Sequence, residues 1–165
     1  MNLVRKFLTH PTVYCLMGDD YLPPAEEFEV NAHPAIFYVA VFTDGHVVGM
    51  FCLFPQNRIC WDLHVVMYPW ATTAEKWQAA RELVPWLAKY TVCKRITGAI
   101  PEPKRQAIMY ATHGLGMRYA GRQEKAFMID GRLRDLVLYG RSVGLDSPCE
   151  PQHDVFDKAI AHQEA

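Results

Sequence analysis

Residues 35–43 and 46–54 are two runs rich in β-branched and aromatic side chains, joined by the dipeptide Asp44-Gly45. An Asp-Gly link adopts the left-handed backbone of a tight two-residue turn, whose twist matches that of the strands it joins. The two runs are therefore expected to pair antiparallel. Pro55-Gln56-Asn57 turns the chain again, and residues 58–68 read as a third strand that stops at Pro69. The first half of the chain is thus expected to be an antiparallel meander, preceded by a brief helix over 12–17 and a loop punctuated by Gly18, Pro23 and Pro24.

The pattern changes after Pro69. Thr72 followed by Glu75 fits a capping box, in which each side chain satisfies an N–H group that the first helical turn leaves unpaired. Trp77, Ala80, Val84 and Leu87 then recur at spacings of three and four, giving one apolar helical face; Pro85 is expected to kink or shorten the helix. Residues 94–100 read as a strand. Because a helix separates it from the third strand, the two can run parallel in a right-handed βαβ unit. A second helix is expected over 104–113, with Gly114 or Gly116 as its stop, followed by strands at 117–120, 125–129 and 133–139 around an Asp130-Gly131 turn. The fold class is α/β (α+β), with a mixed sheet and helices on both faces. Residues 1–141 are expected to form one domain and 142–165 a loosely docked tail with one short helix.

Composition removes several function classes. The longest apolar run, 34–42, is about half the roughly 18 residues a membrane span needs. Residues 1–8 interrupt their apolar positions with Arg5 and Lys6, so no secretory signal is expected and the cytoplasm is the expected compartment. The five cysteines, Cys15, Cys52, Cys60, Cys93 and Cys149, are scattered and never spaced as metal-binding pairs. Neither they nor His33, His46 and His113 support a metal site. Charge is uneven: residues 1–88 carry 5 basic and 9 acidic groups, 89–141 carry 11 and 4, and 142–165 carry 1 and 5. The basic stretch is spread over several elements, which fits a solvated face better than a nucleic-acid site, and no recognised nucleic-acid-binding module accompanies it.

On the third strand, Asp62, His64, Val66 and Tyr68 share one face, and Trp61, Leu63, Val65 and Met67 the other. Asp62 beside His64 is the one pair suited to acid/base work, since a carboxylate orients an imidazole that can take a proton from an amine. The plainer reading is a satisfied polar pair on a half-exposed face.

The order meander, capped helix, strand, helix, strand pair resembles the GNAT acyl-CoA N-acyltransferase superfamily over residues 33–141, with the phrase Ala107, Ala111, Gly116-Met117 closing the match. The resemblance implies that the strands flanking the capped helix splay apart to admit the pantetheine arm of acetyl-CoA beside Val65, Val66 and Met67. It also implies a pyrophosphate at the helix start, near Ala71, Thr72, Thr73, Ala74 and Lys76, with Lys104 opening the next helix where an Asn is common. The family places a glycine-rich turn at that helix start; this chain has Pro69-Trp70-Ala71-Thr72-Thr73-Ala74-Glu75-Lys76, with no glycine. The family's tyrosine acid falls near Thr112, with Tyr110 two residues away and turned by about 200 degrees on a helix.

A narrower resemblance is carried by Thr9-His10-Pro11-Thr12-Val13-Tyr14, His33-Pro34-Ala35-Ile36-Phe37-Tyr38, the run from Phe54 through Trp61, Asp62-Leu63-His64 and the run from Asp130 to Asp135. These phrases are similar to a tailed-phage GNAT-like family that includes the P22-type head assembly protein. That resemblance implies a non-catalytic role in head or ejection-apparatus assembly, with other phage structural proteins or further copies of the chain as partners, in the host cytoplasm or the virion. The alternative is an acetyl-CoA-dependent N-acetyltransferase with Asp62 or His64 as base and Tyr110 as acid.

Overall fold

A computed structural model describes residues 2–144. The elements run α1 (Asn2–Leu8), α2 (Pro11–Met17), β1 (Phe37–Thr43), β2 (His46–Pro55), β3 (Cys60–Met67), α3 (Thr73–Tyr90), β4 (Arg95–Pro101), α4 (Arg105–Met109, continued as a π-helical turn over Tyr110–Gly114), β5 (Arg118–Ile129) and β6 (Arg132–Ser142). The six strands form one sheet in the order β1-β2-β3-β4-β6-β5. All neighbours are antiparallel except β3 and β4, which are parallel as the intervening helix requires.

Both hairpins turn on Asp-Gly pairs in the left-handed region: Asp44 and Gly45 at φ 48° and 78°, Asp130 and Gly131 at φ 51° and 68°. Each face of the sheet buries its own cluster. On one side Phe51, Leu53, Trp61, Leu63 and Ile96 meet Ala80, Leu83 and Leu87 of α3 and Ala111 and Leu115 of the α4 region. On the other, Met50 and Cys52 meet Phe7, Leu8 and Val13 of α1 and α2, with Val66 and Tyr68 packed alongside. The alternation read along β3 thus separates two cores.

Four local expectations change. Residues 2–8 form a helix, because Val4, Phe7 and Leu8 fall on one face and seat it on the sheet. Pro85 does not end α3, which continues to Tyr90. Pro85 and Arg81 are both exposed, so the carbonyl that loses its helical partner lies on the side open to water. The strands expected at 117–120 and 125–129 are one strand with register shifts between Tyr119 and Gly121 and between Gln123 and Phe127. The second helix widens into a π turn at Tyr110. There, Gly114 lets the backbone press against α3: an added Cβ would lie 3.2 Å from Trp77 and 3.3 Å from Ala80, whereas Gly116, at φ 62°, supplies the left-handed stop.

Ser142 belongs to β6, and Val143 is buried with its N–H donating to the Lys94 carbonyl. The rest of the expected tail, Cys149 included, lies outside the described residues. No helix among the described residues is long and apolar enough to cross a membrane.

Ile96 sits at 0% exposure in the larger core, while Leu133 on β6 is 54% exposed. Ile96→Ala should cost about 2 to 5 kcal/mol in urea unfolding, and Leu133→Ala should stay within about 0.5 kcal/mol.

Candidate active site

β3 and β4 are held together by three rungs, Cys60–Arg95, Trp61–Ile96 and Asp62–Thr97, and the pairing stops there. β3 continues to Met67 paired with β2 alone, and β4 continues to Pro101 paired with β6 alone. From Leu63 onward β3 therefore presents a free edge of backbone N–H and C=O groups across an opening from β4. Val65 and Met67 line it toward the α3 core and Val66 toward the α1–α2 core.

The last rung carries the polar residues. One His64 Nε2–Asp62 Oδ2 contact is 3.0 Å. A carboxylate only accepts, so Nε2 carries the hydrogen and donates, leaving the Nδ1 lone pair as the basic site. Thr97, opposite Asp62, receives a hydrogen bond from Gln56 Nε2 at 3.1 Å and lies 3.5 Å from Asp62 Oδ1. Phe54, the cross-strand partner of Asp62, sets its ring edge-on to His64 with centroids 5.2 Å apart. Asp62 is thereby positioned from two strands, while the His64 side chain remains 58% exposed. Gln56, Thr97 and Phe54 were not singled out from the sequence. Phe54 was accessible from hairpin arithmetic, whereas Thr97 depends on the register of a parallel pair, which nothing local encodes.

The loop after α2 passes over this face. Lys104, at the start of α4, donates from Nζ to the Leu16 carbonyl at 2.9 Å, and the Asp20 carboxylate accepts from the N–H groups of Asp130 and Gly131 at 3.0 and 2.7 Å. The segment from Leu16 to Asp20 therefore bridges from the β2–β3 side to the β5–β6 hairpin. Burial holds the Lys104 amine below the usual lysine value, partly offset by the Cys15 thiol.

Tyr110 lies on the opposite face, packed with the α3 core. Its hydroxyl donates to the Lys76 carbonyl at 2.9 Å, and burial pushes its pKa up. Tyr110 and the Asp62–His64 pair thus approach the opening from the two sides of the sheet and can meet only through it.

The remaining candidates cluster at the start of α3. Thr72 is the N-cap; its N–H and its hydroxyl both donate to Glu75 Oε2, at 2.6 and 2.8 Å, and its oxygen accepts from the Glu75 N–H at 3.3 Å. Thr73 and Ala74 are exposed, and Ala71 is buried with its N–H donating to the Tyr68 carbonyl. Trp70 stacks on Tyr68 with centroids 4.0 Å apart, and His10 meets both rings edge-on. The Thr72 N–H, then its hydroxyl, and more weakly Thr43 and Lys76 hold the Glu75 carboxyl below its ordinary value of 4.5, against a smaller opposing effect of burial.

These features fit an acyl-CoA in one part and not in another. The free β3 edge matches the amide-bearing pantetheine arm, which can pair with it as a strand does. The α3 start matches a diphosphate poorly, because the Glu75 carboxylate takes both Thr72 donors and sets a like charge there, and the entering turn has Ala71 and Trp70 where a close backbone approach calls for glycine. A shallow recess of about 680 Å³ at the other end of α3, between Phe37, Trp61 and Tyr90, shares no candidate residue with this site.

With that geometry in view, comparison with solved structures decides the architecture. The chain has the GNAT acetyltransferase fold. A GNAT-family acetyltransferase from Streptococcus pneumoniae superposes with a TM-score of 0.67 at 16% identity, over 86% of this chain and 92% of that one. Spermidine N-acetyltransferase from Vibrio cholerae, in complex with CoA and spermine, gives 0.61 at 12% identity over 68% of each chain. A probable acetyltransferase gives 0.58 at 15% identity over 67% of this chain, which spans 64% of that neighbour's length. No protein-family model and no curated protein sequence matches the chain. The resemblance to the tailed-phage family gains no support from these neighbours, nor does the assembly role it implied. The GNAT fold does gain support.

The lowered Glu75 pKa has a defined sign. A carboxyl held low in the folded state contributes stability above its unfolded pKa and loses it as pH falls through the folded value. The melting-temperature deficit of Glu75→Gln relative to wild type should therefore be present at about pH 7 and vanish at about pH 2. A deficit unchanged across that range would show that the cap does not depend on the charge.

Proposed function

We propose that this chain is an N-acyltransferase, which moves an acyl group from a thioester of the acetyl-CoA type to an amine. The observation that carries this reading is the coincidence of two features at one rung. β3 and β4 part immediately after Asp62 and Thr97, and there the Asp62–His64 pair stands open on one face. The free β3 edge would hold an extended donor arm with its thioester end near the rung. The acyl carbonyl supplies the electrophile; as the C–N bond forms and the C–S bond breaks, the amine's proton passes to His64 Nδ1 and the sulfur leaves as the thiolate, which takes up a proton from solvent to become the free thiol.

His64 acts as the base and Asp62 as the positioning residue, fixing the tautomer and favouring the imidazolium that forms. Phe54 limits the ring's rotation, and Thr97 with Gln56 steadies the carboxylate. The fold neighbours are acetyltransferases, which supports this reading over an assembly role.

The test is acyl transfer from acetyl-CoA to a panel of primary amines, read by release of free thiol. His64→Ala should lower turnover by about 10²- to 10⁴-fold with donor binding unchanged. Asp62→Asn, which removes the anionic acceptor that fixes the imidazole tautomer, should lower turnover by less than His64→Ala with donor binding unchanged. Full activity in His64→Ala would assign the proton transfer to another group.

A further inference from the structure

Resting on that reading, we propose that Glu75 is a built-in occupant of the anion seat at the start of α3, so that this chain holds its thioester donor by the pantetheine arm and gains nothing from the diphosphate. A helix start attracts anions because its first N–H groups lack partners and the helix dipole is positive there. In α3 the donors of the cap residue Thr72 are already engaged, and the engaging group places a negative charge at the helix start. Glu75 Oε2 accepts from both the N–H and the hydroxyl of Thr72, and the carboxylate is held further by Thr43 of β1 and by the charge of Lys76. Lys76 adds only a weak attraction to that carboxylate. Its carbonyl is fixed as well, by the Tyr110 hydroxyl.

The entering turn strengthens the exclusion. The Ala71 N–H is bonded to the Tyr68 carbonyl, Ala71 is 5% exposed, and Trp70 is stacked against Tyr68 and flanked by His10. An incoming diphosphate would have to displace a carboxylate of its own sign and open a packed aromatic wall. The β3 edge beside Val65 to Met67 carries no such obstacle, and the amides of the arm can use it.

Calorimetric titration of CoA and of pantetheine into the full chain tests the proposal. The two ligands should bind wild type with dissociation constants within about threefold of each other. Glu75→Ala should then tighten CoA by about tenfold while leaving pantetheine unchanged, because it frees charge-assisted donors for the phosphates. Glu75→Gln, which keeps the shape of the cap and removes its charge, should lie between, and guards against loss of fold in the alanine variant. CoA binding to wild type ten or more times tighter than pantetheine, or equal affinities in all three proteins, overturns the role of Glu75 and leaves the acyltransferase reading standing. Absence of binding by either ligand to wild type and both variants overturns both.

Discussion

Three rungs join β3 to β4, and the consequences of having three and not seven reach every functional residue. A parallel pair closed along its length would bury the Leu63–Met67 edge and leave Asp62 and His64 as one more polar couple on a sheet surface. Because β2 and β6 each complete their own side, the two strands can diverge without leaving the sheet as a whole unpaired. The strain of divergence is taken by the helices. α3 spans one face with Ala80, Leu83 and Leu87, and α1 and α2 brace the other through Phe7, Leu8 and Val13. The opening is therefore framed by two independent cores, and burial in those cores, worth about 25 cal/mol per Å² of apolar surface, holds it open.

Much of this frame was legible because it is written in short-range chemistry. Asp44-Gly45 fixes the first hairpin, and the turn after Pro55 sets the β2–β3 register that places Phe54 opposite Asp62; Thr72 and Glu75 fix the start of α3; the alternation along β3 sorts its side chains between the cores. What was not legible depends on non-local spacing. The register of β3 against β4 is chosen by the length and seating of α3, so the rung at which the strands part, and Thr97's place on it, cannot be read from either strand alone. The π turn at Tyr110 is hidden for a related reason. It inserts one residue into a 3.6-residue repeat, and its stabilisation comes from Gly114 closing on Trp77 and Ala80, some thirty residues earlier in the chain.

That π turn also decides how the two faces divide the chemistry. Tyr110, the first residue of that turn, is held against α3, where its hydroxyl donates to the Lys76 carbonyl. Using the hydroxyl as an acid would break that half-buried hydrogen bond, a cost of about 0.5 to 1.5 kcal/mol. His64, by contrast, has a lone pair on Nδ1 and an exposed ring, and a change in its charge is answered at once by Asp62.

The first turn of α3 then serves as a structural anchor on both counts. The Thr72 N–H and hydroxyl are taken by Glu75, the Lys76 carbonyl accepts from Tyr110, and the entering turn carries the Tyr68–Trp70 stack, so these groups contribute to holding the helix in place. On the acyltransferase reading, recognition of a donor's extended arm rests on the β3 edge from Leu63 to Met67, which β4 leaves unpaired. Affinity there comes from strand-like pairing with an extended chain, which selects for the shape of the arm and not for the charge at its far end.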